Sequence, residues 1–295
     1  MATVSDASTP RSSASRLRTM RPILRRLRSR PLVIAAMGVL VLFVILAVAA
    51  PIVAPYDPIG LISGAVMRPP SWEFLFGTDE LGRDVLSRVI HGARISLQIG
   101  VITISIALVL GTMVGIAAGF YGGVIDGALM AVMEILLAFP QILLAMAILA
   151  MLGPSLKNAM IAVGLSAVPV YARTARGTTL SVRAMDYVEA ARAVGAGDGR
   201  ILVRHVLPNM ISPVVVLATA GVGIAILIAA GLSYLGLGAQ PPTPEWGAML
   251  SESRAYLRNA WWMATFPGLA ITLVVVSLNL CGDWLRDLLD PRLRK

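Results

Sequence analysis

Six long apolar runs, separated by short polar segments, set the pattern of this chain. Residues 31–56 carry no charge at all. A helix rises 1.5 Å per residue, so about 20 apolar residues cross a ~30 Å hydrocarbon core, and this run is long enough. Further runs occupy residues 95–120, 127–152, 158–172, 211–238 and 259–282. The fourth is the weakest, with 15 charge-free residues between Lys157 and Arg173, whose long side chains can snorkel from its ends. The pattern predicts an all-α integral membrane protein with six transmembrane helices.

The distribution of basic residues tests that count. With six crossings and the N-terminus inside, the inner segments hold 18 of the 25 Lys and Arg and the outer ones 7. If the fourth run does not cross, everything after it inverts and the numbers become 10 inside and 15 outside. Cytoplasmic loops carry the excess of Lys and Arg, so six crossings with both termini cytoplasmic are favoured. Trp246, Tyr256, Trp261 and Trp262 then flank the outer end of the last run, where amphipathic rings prefer to sit.

Composition supports the same class. The 295 residues are 57% hydrophobic and 14% charged, against about a quarter charged in soluble domains. The net charge of +9 lies in short segments between apolar runs, so it reads as a topology signal and not as a nucleic-acid face. A single cysteine, Cys281, excludes an internal disulfide framework and an all-cysteine metal site. Residues 1–30, rich in Ser, Thr and Arg, read as a basic tail. Ala47-Val48-Ala49 resembles a signal-peptidase site, but the apolar run around it is too long for a signal h-region, which favours a retained anchor.

One polar segment, DYVEAARAVGAGDGRILVRHVLPN at residues 186–209, is more structured than a connecting loop. Asp186 with Glu189 fits a capping box. Tyr187, Ala190, Ala191 and Val194 recur as one helical stripe. Gly195 suits a left-handed residue after the helix. Asp198 can cap a second helix, which Pro208 limits. Helices this short are marginal alone and must pack on something, either the bilayer surface or a groove in a partner protein.

The residues that specify which are Glu189-Ala190-Ala191, Gly195 and Leu207-Pro208. Their spacing resembles the EAA motif of membrane subunits of ABC importers, with His205 where the general pattern has Ile. GTDELGRDVLSRVIHGARISL at 77–97, LSYLGLGAQPPTPEWGAML at 232–250 and GDWLRDLLDPRL at 282–293 are similar to the dipeptide/oligopeptide/nickel permease family, in its C-type subunit. The resemblance runs from about residue 30 to 295. It implies a type I ABC importer transmembrane domain in a bacterial inner membrane, paired with a second permease subunit. Two ATP-binding subunits inside and an extracellular substrate-binding protein are implied as partners, with ATP and Mg bound in the former and no cofactor in this chain.

On that resemblance residues 186–208 are the coupling helix, with docking roles for Asp186, Glu189, Ala190, Ala191, Arg192 and Gly195. The chain divides into a cytoplasmic tail (1–30), a first transmembrane helix with an extracellular segment (31–92), a core domain (93–283) and a cytoplasmic C-terminal tail (284–295). Peptides are the expected cargo. Nickel or another small cargo is the alternative within the family, and an ion-driven secondary transporter is the alternative outside it.

Other candidates are weighed residue by residue. Glu134 is the only carboxylate well inside a run, and burying its charge at mid-membrane costs about 2.5–3.5 kcal/mol. Members of the family that the chain resembles commonly carry an acid here with an Arg three residues earlier, where this chain has Ala131. Glu134 either faces the pathway or is a hydrogen-bonded structural acid. Pro140 can kink the same helix beside a pathway. Gly111, Gly115 and Gly119 form a ridge for close helix packing.

Residues 77–94 are expected outside, with a short amphipathic helix. There Asp79, Glu80, Arg83 and Asp84 either meet the binding protein or form a solvated face. Pro241, Pro242 and Pro244 stiffen another outer loop. Asp283–Arg286 and Arg286–Asp290 have the spacing of helix ion pairs, and Asp290-Pro291 stops that helix.

Catalysis is not indicated. The two lysines, Lys157 and Lys295, do not sit in a GxxxxGK[ST] phosphate loop. His91 and His205 fall on opposite sides of the membrane, and GLSYLG at 231–236 has Leu235 at the last glycine of the nucleophile elbow. No metal site is expected.

Overall fold

The computed structural model describes residues 30–289. The basic tail through residue 29, the Arg286–Asp290 pair and the Asp290-Pro291 stop lie outside the described residues. Ten α-helices follow in order: α1 Pro31–Val53, α2 Val85–Tyr121, α3 Gly123–Leu137, α4 Gln141–Leu152, α5 Leu156–Arg183, α6 Asp186–Ala193, α7 Asp198–Ile201, α8 Leu207–Tyr234, α9 Trp246–Ser253 and α10 Trp262–Leu289. A π-helical turn, Leu202–Val206, joins α7 to α8, and a 3₁₀ turn, Arg254–Tyr256, follows α9.

Four single stretches are long and apolar enough to cross a membrane: α1, α2, the run Asp198–Tyr234 and α10. The third apolar run is not the kinked single helix that was expected. It is two helices, α3 and α4, bent by 96°. Pro140 is the cause. It has no N–H to continue the ladder, takes an extended conformation (φ −53°, ψ 131°) and starts α4 instead. The fourth run lies within α5, 28 residues or roughly 42 Å long. Its apolar character is diluted by Lys157, Arg173, Arg176 and Arg183. Length and apolarity alone therefore support four crossings, or five with the bent pair counted as one span.

The centre of the bundle is α2 against α5. The ridge Gly111, Gly115 and Gly119 makes this possible. A β-carbon on Gly115 would lie 2.5 Å from Ala175 Cβ, and one on Gly119 would lie 2.9 Å from the Arg176 carbonyl. Around this seam Ile104, Ala107, Ala162, Val163 and Tyr171 form a buried apolar layer with Ala145 and Leu149 of α4. α1 packs on α2 and α10 through Phe43 and Ala47, and continues unbroken through Ala47-Val48-Ala49.

At one end of the bundle, two of the expected interfacial tryptophans are core residues instead. Trp246 is fully buried, sits edge-on to Phe43 and donates its indole N–H to the Val89 carbonyl at 3.0 Å. Trp262 is buried and donates to the Thr78 carbonyl at 3.0 Å. An indole that finds a carbonyl partner inside the protein has no need of the lipid interface. Of the adjacent pair only Trp261 stays exposed.

The segment before α2 also departs from expectation. No separate amphipathic helix forms at 77–84. The chain runs as turns, and α2 begins at Val85, capped by Asp84, whose carboxylate accepts the Ser87 amide at 2.8 Å. Near the end of α10, Asp283 and Arg286 form no ion pair. Asp287 pairs instead with Arg30 at 2.8 Å, because the start of α1 lies beside this end of α10.

Candidate functional site

The α6–α7 hairpin is held from beneath. α5 ends at Arg183, and Met185, in extended conformation, caps α6 with its own carbonyl accepting the amides of Val188 and Glu189. Asp186 is therefore inside the first turn and not the cap, since the two-residue link from α5 places the bend one residue early. Its charge still lies at the positive end of the helix dipole. Asp198 is likewise a first-turn residue, with Gly197 as the cap. Neither aspartate makes the capping hydrogen bond expected of it.

Gly195 does what its position suggests. Its φ is +84°, and the amides of Gly195 and Ala196 return to the carbonyls of Arg192 and Ala191, both at 2.9 Å. This is the Schellman closure of α6. Pro208 does not end the second helix. It stands in the first turn of α8, where the π turn has already shifted the hydrogen-bond register and its missing N–H costs little. The hairpin thus runs into α8 without a break.

The bundle buries a different side of the hairpin from the apolar stripe. Val188, Ile201 and Val206 are fully buried, against Phe120 of α2, Val182 of α5 and Met210 of α8. The stripe Tyr187, Ala190, Val194 faces away from the bundle, with Val194 85% exposed; Ala191 is half-buried. Glu189 is exposed and makes no ion pair among the described residues. Arg192 turns back, its guanidinium 5.6 Å from the centre of the Phe120 ring. His205 rests against Tyr187 with ring centres 5.4 Å apart, and its carbonyl accepts from Asn209 at 2.7 Å.

The opposite end of the bundle holds a buried ionic cluster. Arg83 donates to Asp79 at 2.6 Å, to Glu80 at 3.1 Å and to Glu252 at 3.0 Å. Arg88 donates to Glu252 at 2.7 Å. Asp79, Arg83, Asp84 and Arg88 are all buried. Three of the four residues expected to meet an external protein or water are therefore turned inward, and only Glu80 stays partly exposed. Burial wins because Glu252, from α9, supplies a counter-charge that the local sequence does not reveal. Asp79, Glu80 and Glu252 are close enough together to hold a cation, but the two guanidinium groups already lie among them. Burial pushes the Glu80 and Asp84 carboxyls up from their ordinary values, with hydrogen bonds from the Ser87 hydroxyl and amide opposing the shift at Asp84. Glu245, fully buried, caps α9 by accepting from Gly247 and Ala248 at 2.9 Å each, and burial raises its carboxyl too.

Between the two ends, α3 and α4 leave one face uncovered. Met133 is the only buried residue of α3, while Val132, Glu134, Ile135 and Phe139 are exposed. Glu134 makes no ion pair among the described residues. Two turns earlier, Asp126 is held bidentately by Arg176 of α5 at 2.5 and 2.6 Å. Just past Pro140, Gln141 reaches a 120 Å³ cavity shared with Thr103, Tyr171 and Leu217. A wider, 690 Å³ cleft opens near the hairpin between Thr174, Asn209, Ser212, Asp283 and Arg286.

The comparisons with known proteins match this architecture. A model described as "binding-protein-dependent transport system inner membrane component" matches residues 111–295, and one described as the "N-terminal TM domain of oligopeptide transport permease C" matches residues 19–70. The chain is 44% identical over 274 residues to a dipeptide transport system permease protein of Alkalihalophilus pseudofirmus, covering 93% of this chain and 90% of that one. It is 48% identical to a di/tripeptide transport system permease protein of Pseudomonas aeruginosa, over 86% of each. It is 45% identical to a glutathione transport system permease protein of Escherichia coli, over 92% of this chain and 89% of that one. Among solved structures it is similar to a chain of the inward-facing MetNI methionine ABC transporter, with a TM-score of 0.56 and 21% identity, over 70% of this chain and 97% of that one. The shared fold is the transmembrane domain of a type I ABC importer.

Proposed function

Because the chain belongs to the family of inner membrane components of binding-protein-dependent transport systems, we propose that it forms half of the translocation pathway for short peptides and couples that pathway to separate ATP-binding subunits through α6. Peptide cargo rests on the dipeptide, di/tripeptide and glutathione permeases it resembles. Two ATP-binding subunits, a second permease subunit and an external binding protein complete the assembly. ATP and Mg belong to the ATP-binding subunits, and this chain binds no cofactor. Six crossings put both termini in the cytoplasm, with α5 and the α3–α4 pair as two of them.

One observation carries the coupling role. The hairpin buries Val188, Ile201 and Val206 inward and leaves Tyr187, Glu189, Ala190 and Val194 outward. Exposed small and apolar residues beside an acid with no ion pair among the described residues offer a docking face of low relief. The hairpin is also continuous with α5 on one side and α8 on the other. A push on α6 is therefore delivered to two long helices that both border the Gln141 cavity. Rigid transmission of this kind needs a two-state bundle, which ATP binding in the partner biases.

The geometry of the α3–α4 face supports a pathway role for Glu134 and Pro140. That face is apolar except for Glu134, is broken at Pro140 and is uncovered by the other described residues. Irregular backbone at membrane depth is stable only where protein or a water-filled cavity adjoins it. At the α9 end, Glu80 is the one member of Asp79, Glu80, Arg83 and Asp84 left available to the binding protein, and the other three shape the surface from beneath.

Co-purification with ATP-binding subunits, together with peptide-stimulated ATPase in reconstituted vesicles, tests the function. A label at Ala193 must react only from the cytoplasmic side. Labelling only from outside, or uptake by this chain alone driven by a proton or sodium gradient, would overturn it.

A further inference from the structure

Resting on the membrane-spanning reading of α1 and α2, we propose that the groove between these helices binds an anionic phospholipid, with its phosphate on Arg94 and Gln98 and an acyl chain against α1. The groove encloses 500 Å³. Its walls are Val44 and Val48 of α1 and Val101 and Ile102 of α2, all exposed, with Val48 at 78%. Arg94 and Gln98 stand one helical turn apart on the same face of α2 and both are exposed.

Arg94 is the last charged residue of α2 before 26 charge-free positions, 95–120. It is thus placed where the helix enters the hydrocarbon. The other arginines of this region, Arg83 and Arg88, are consumed by the buried cluster. The Arg94 side chain makes no ion pair or hydrogen bond with any described residue. A guanidinium at the mouth of an apolar groove, beside an amide donor, matches the two ends of a phospholipid: charge to phosphate and hydrocarbon to valine. A free phosphate satisfies only the first of these, and an uncharged lipid only the second.

The test uses the assembled transporter reconstituted in nanodiscs of equimolar phosphatidylglycerol and phosphatidylethanolamine, then extracted in mild detergent. Native mass spectrometry reads the lipid retained. Wild type is expected to retain phosphatidylglycerol preferentially. Arg94→Gln lowers that preference roughly fivefold, the effect of one basic residue near an anionic surface, and Arg94→Lys keeps most of it. Val101→Trp fills the groove and removes bound lipid of both kinds. Excess inorganic phosphate leaves the retained lipid in place. No preference in wild type, an unchanged preference in Arg94→Gln, or displacement by inorganic phosphate overturns the proposal. So does a cross-link from Val48 to the second permease subunit, which would mean that protein and not lipid covers the groove. These readouts are independent of cargo and ATPase, so the proposal and the importer reading fail separately.

Discussion

Arg88 and Glu252, 164 residues apart in sequence, meet at 2.7 Å, and the same carboxylate oxygen accepts Arg83 at 3.0 Å. One oxygen of α9 thus bonds two guanidinium groups, one at the base of α2 and one in the turn before it, and Asp79 pairs with both at 2.6 and 3.5 Å. Breaking a buried pair costs about 3–5 kcal/mol, and here Asp79, which also pairs with both arginines, offsets part of that cost. Glu252→Leu is expected to lower the unfolding temperature of the purified complex sharply. Glu252→Gln, which keeps an acceptor, lowers it less. Adding Arg88→Met to Glu252→Leu recovers part of the loss, because the two arginines no longer share the remaining acid Asp79. A double mutant no more stable than Glu252→Leu would show that the pair is not the main contact between α2 and α9.

The cluster also makes stability depend on pH, with a definite sign. The Glu80 carboxyl is raised above its ordinary 4.5, chiefly by burial. A raised folded-state value means that the folded protein holds this proton more tightly than the unfolded chain does. Its contribution is fully present below 4.5 and is lost as pH rises through the higher folded-state value. The wild type is therefore expected to gain stability relative to Glu80→Gln as pH falls from neutral toward that range. Unfolding temperatures of the two proteins across pH check this, and parallel curves would contradict it.

Gly195 separates backbone strain from crowding. A β-carbon there meets nothing within 4 Å, yet φ is +84°. Left-handed backbone costs an ordinary L-residue roughly 1–2 kcal/mol. Gly195→Val is expected to distort the end of α6, reducing transport-coupled ATPase while the complex still assembles. Gly195→Asn, which tolerates this conformation, keeps most coupling. Glu189→Lys alters the docking face without touching the backbone and is expected to uncouple ATPase from uptake. Peptide uptake and ATPase measured together in vesicles check all three.

The α2–α5 seam yields a packing prediction. A side chain at Gly115 has nowhere to go, with Ala175 Cβ 2.5 Å from the added carbon and the Arg176 amide at 2.8 Å. Overpacking of this kind costs about 1–3 kcal/mol. Gly115→Val is expected to lower stability by that order, whereas Gly38→Ala on α1, with open space around it, is neutral. Equal unfolding temperatures for Gly115→Val and the wild type would contradict close helix approach.

The features legible in the sequence were those fixed by local chemistry. The apolar runs locate the long helices, Gly195 locates the end of α6, and the glycine ridge locates a close packing surface. Features set by distant residues were not legible. Nothing within residues 77–94 announces that Glu252 arrives to bury Arg83 and Arg88, so the segment reads as an outward-facing surface, solvated or in contact with the binding protein. Trp246 and Trp262 read as interfacial because their carbonyl partners, Val89 and Thr78, lie far away in sequence. The stripe on α6 is legible in the sequence; the burial of Val188 is not, because Phe120, Val182 and Met210 reach it from other helices. At Asp186 and Asp198 the capping chemistry was plausible, and only the short links from α5 and Gly197 shifted the helix starts.

The last prediction concerns the acids of α3. Arg176 grips Asp126 with two hydrogen bonds, so α3 is tied to α5 just before α5 leads into the hairpin. Glu134 lies two turns further along α3, toward the break at Pro140, and is left facing outward without an ion pair among the described residues. The two carboxylates thus have different tasks. Asp126 fastens the helix, and on the proposed pathway reading Glu134 presents charge to the open face. Asp126→Asn is expected to loosen α3 and to lower stability and uptake together. Glu134→Gln is expected to leave unfolding temperature and assembly unchanged, while lowering peptide uptake several-fold. Wild-type uptake by Glu134→Gln across pH would assign Glu134 a structural role and remove it from the pathway.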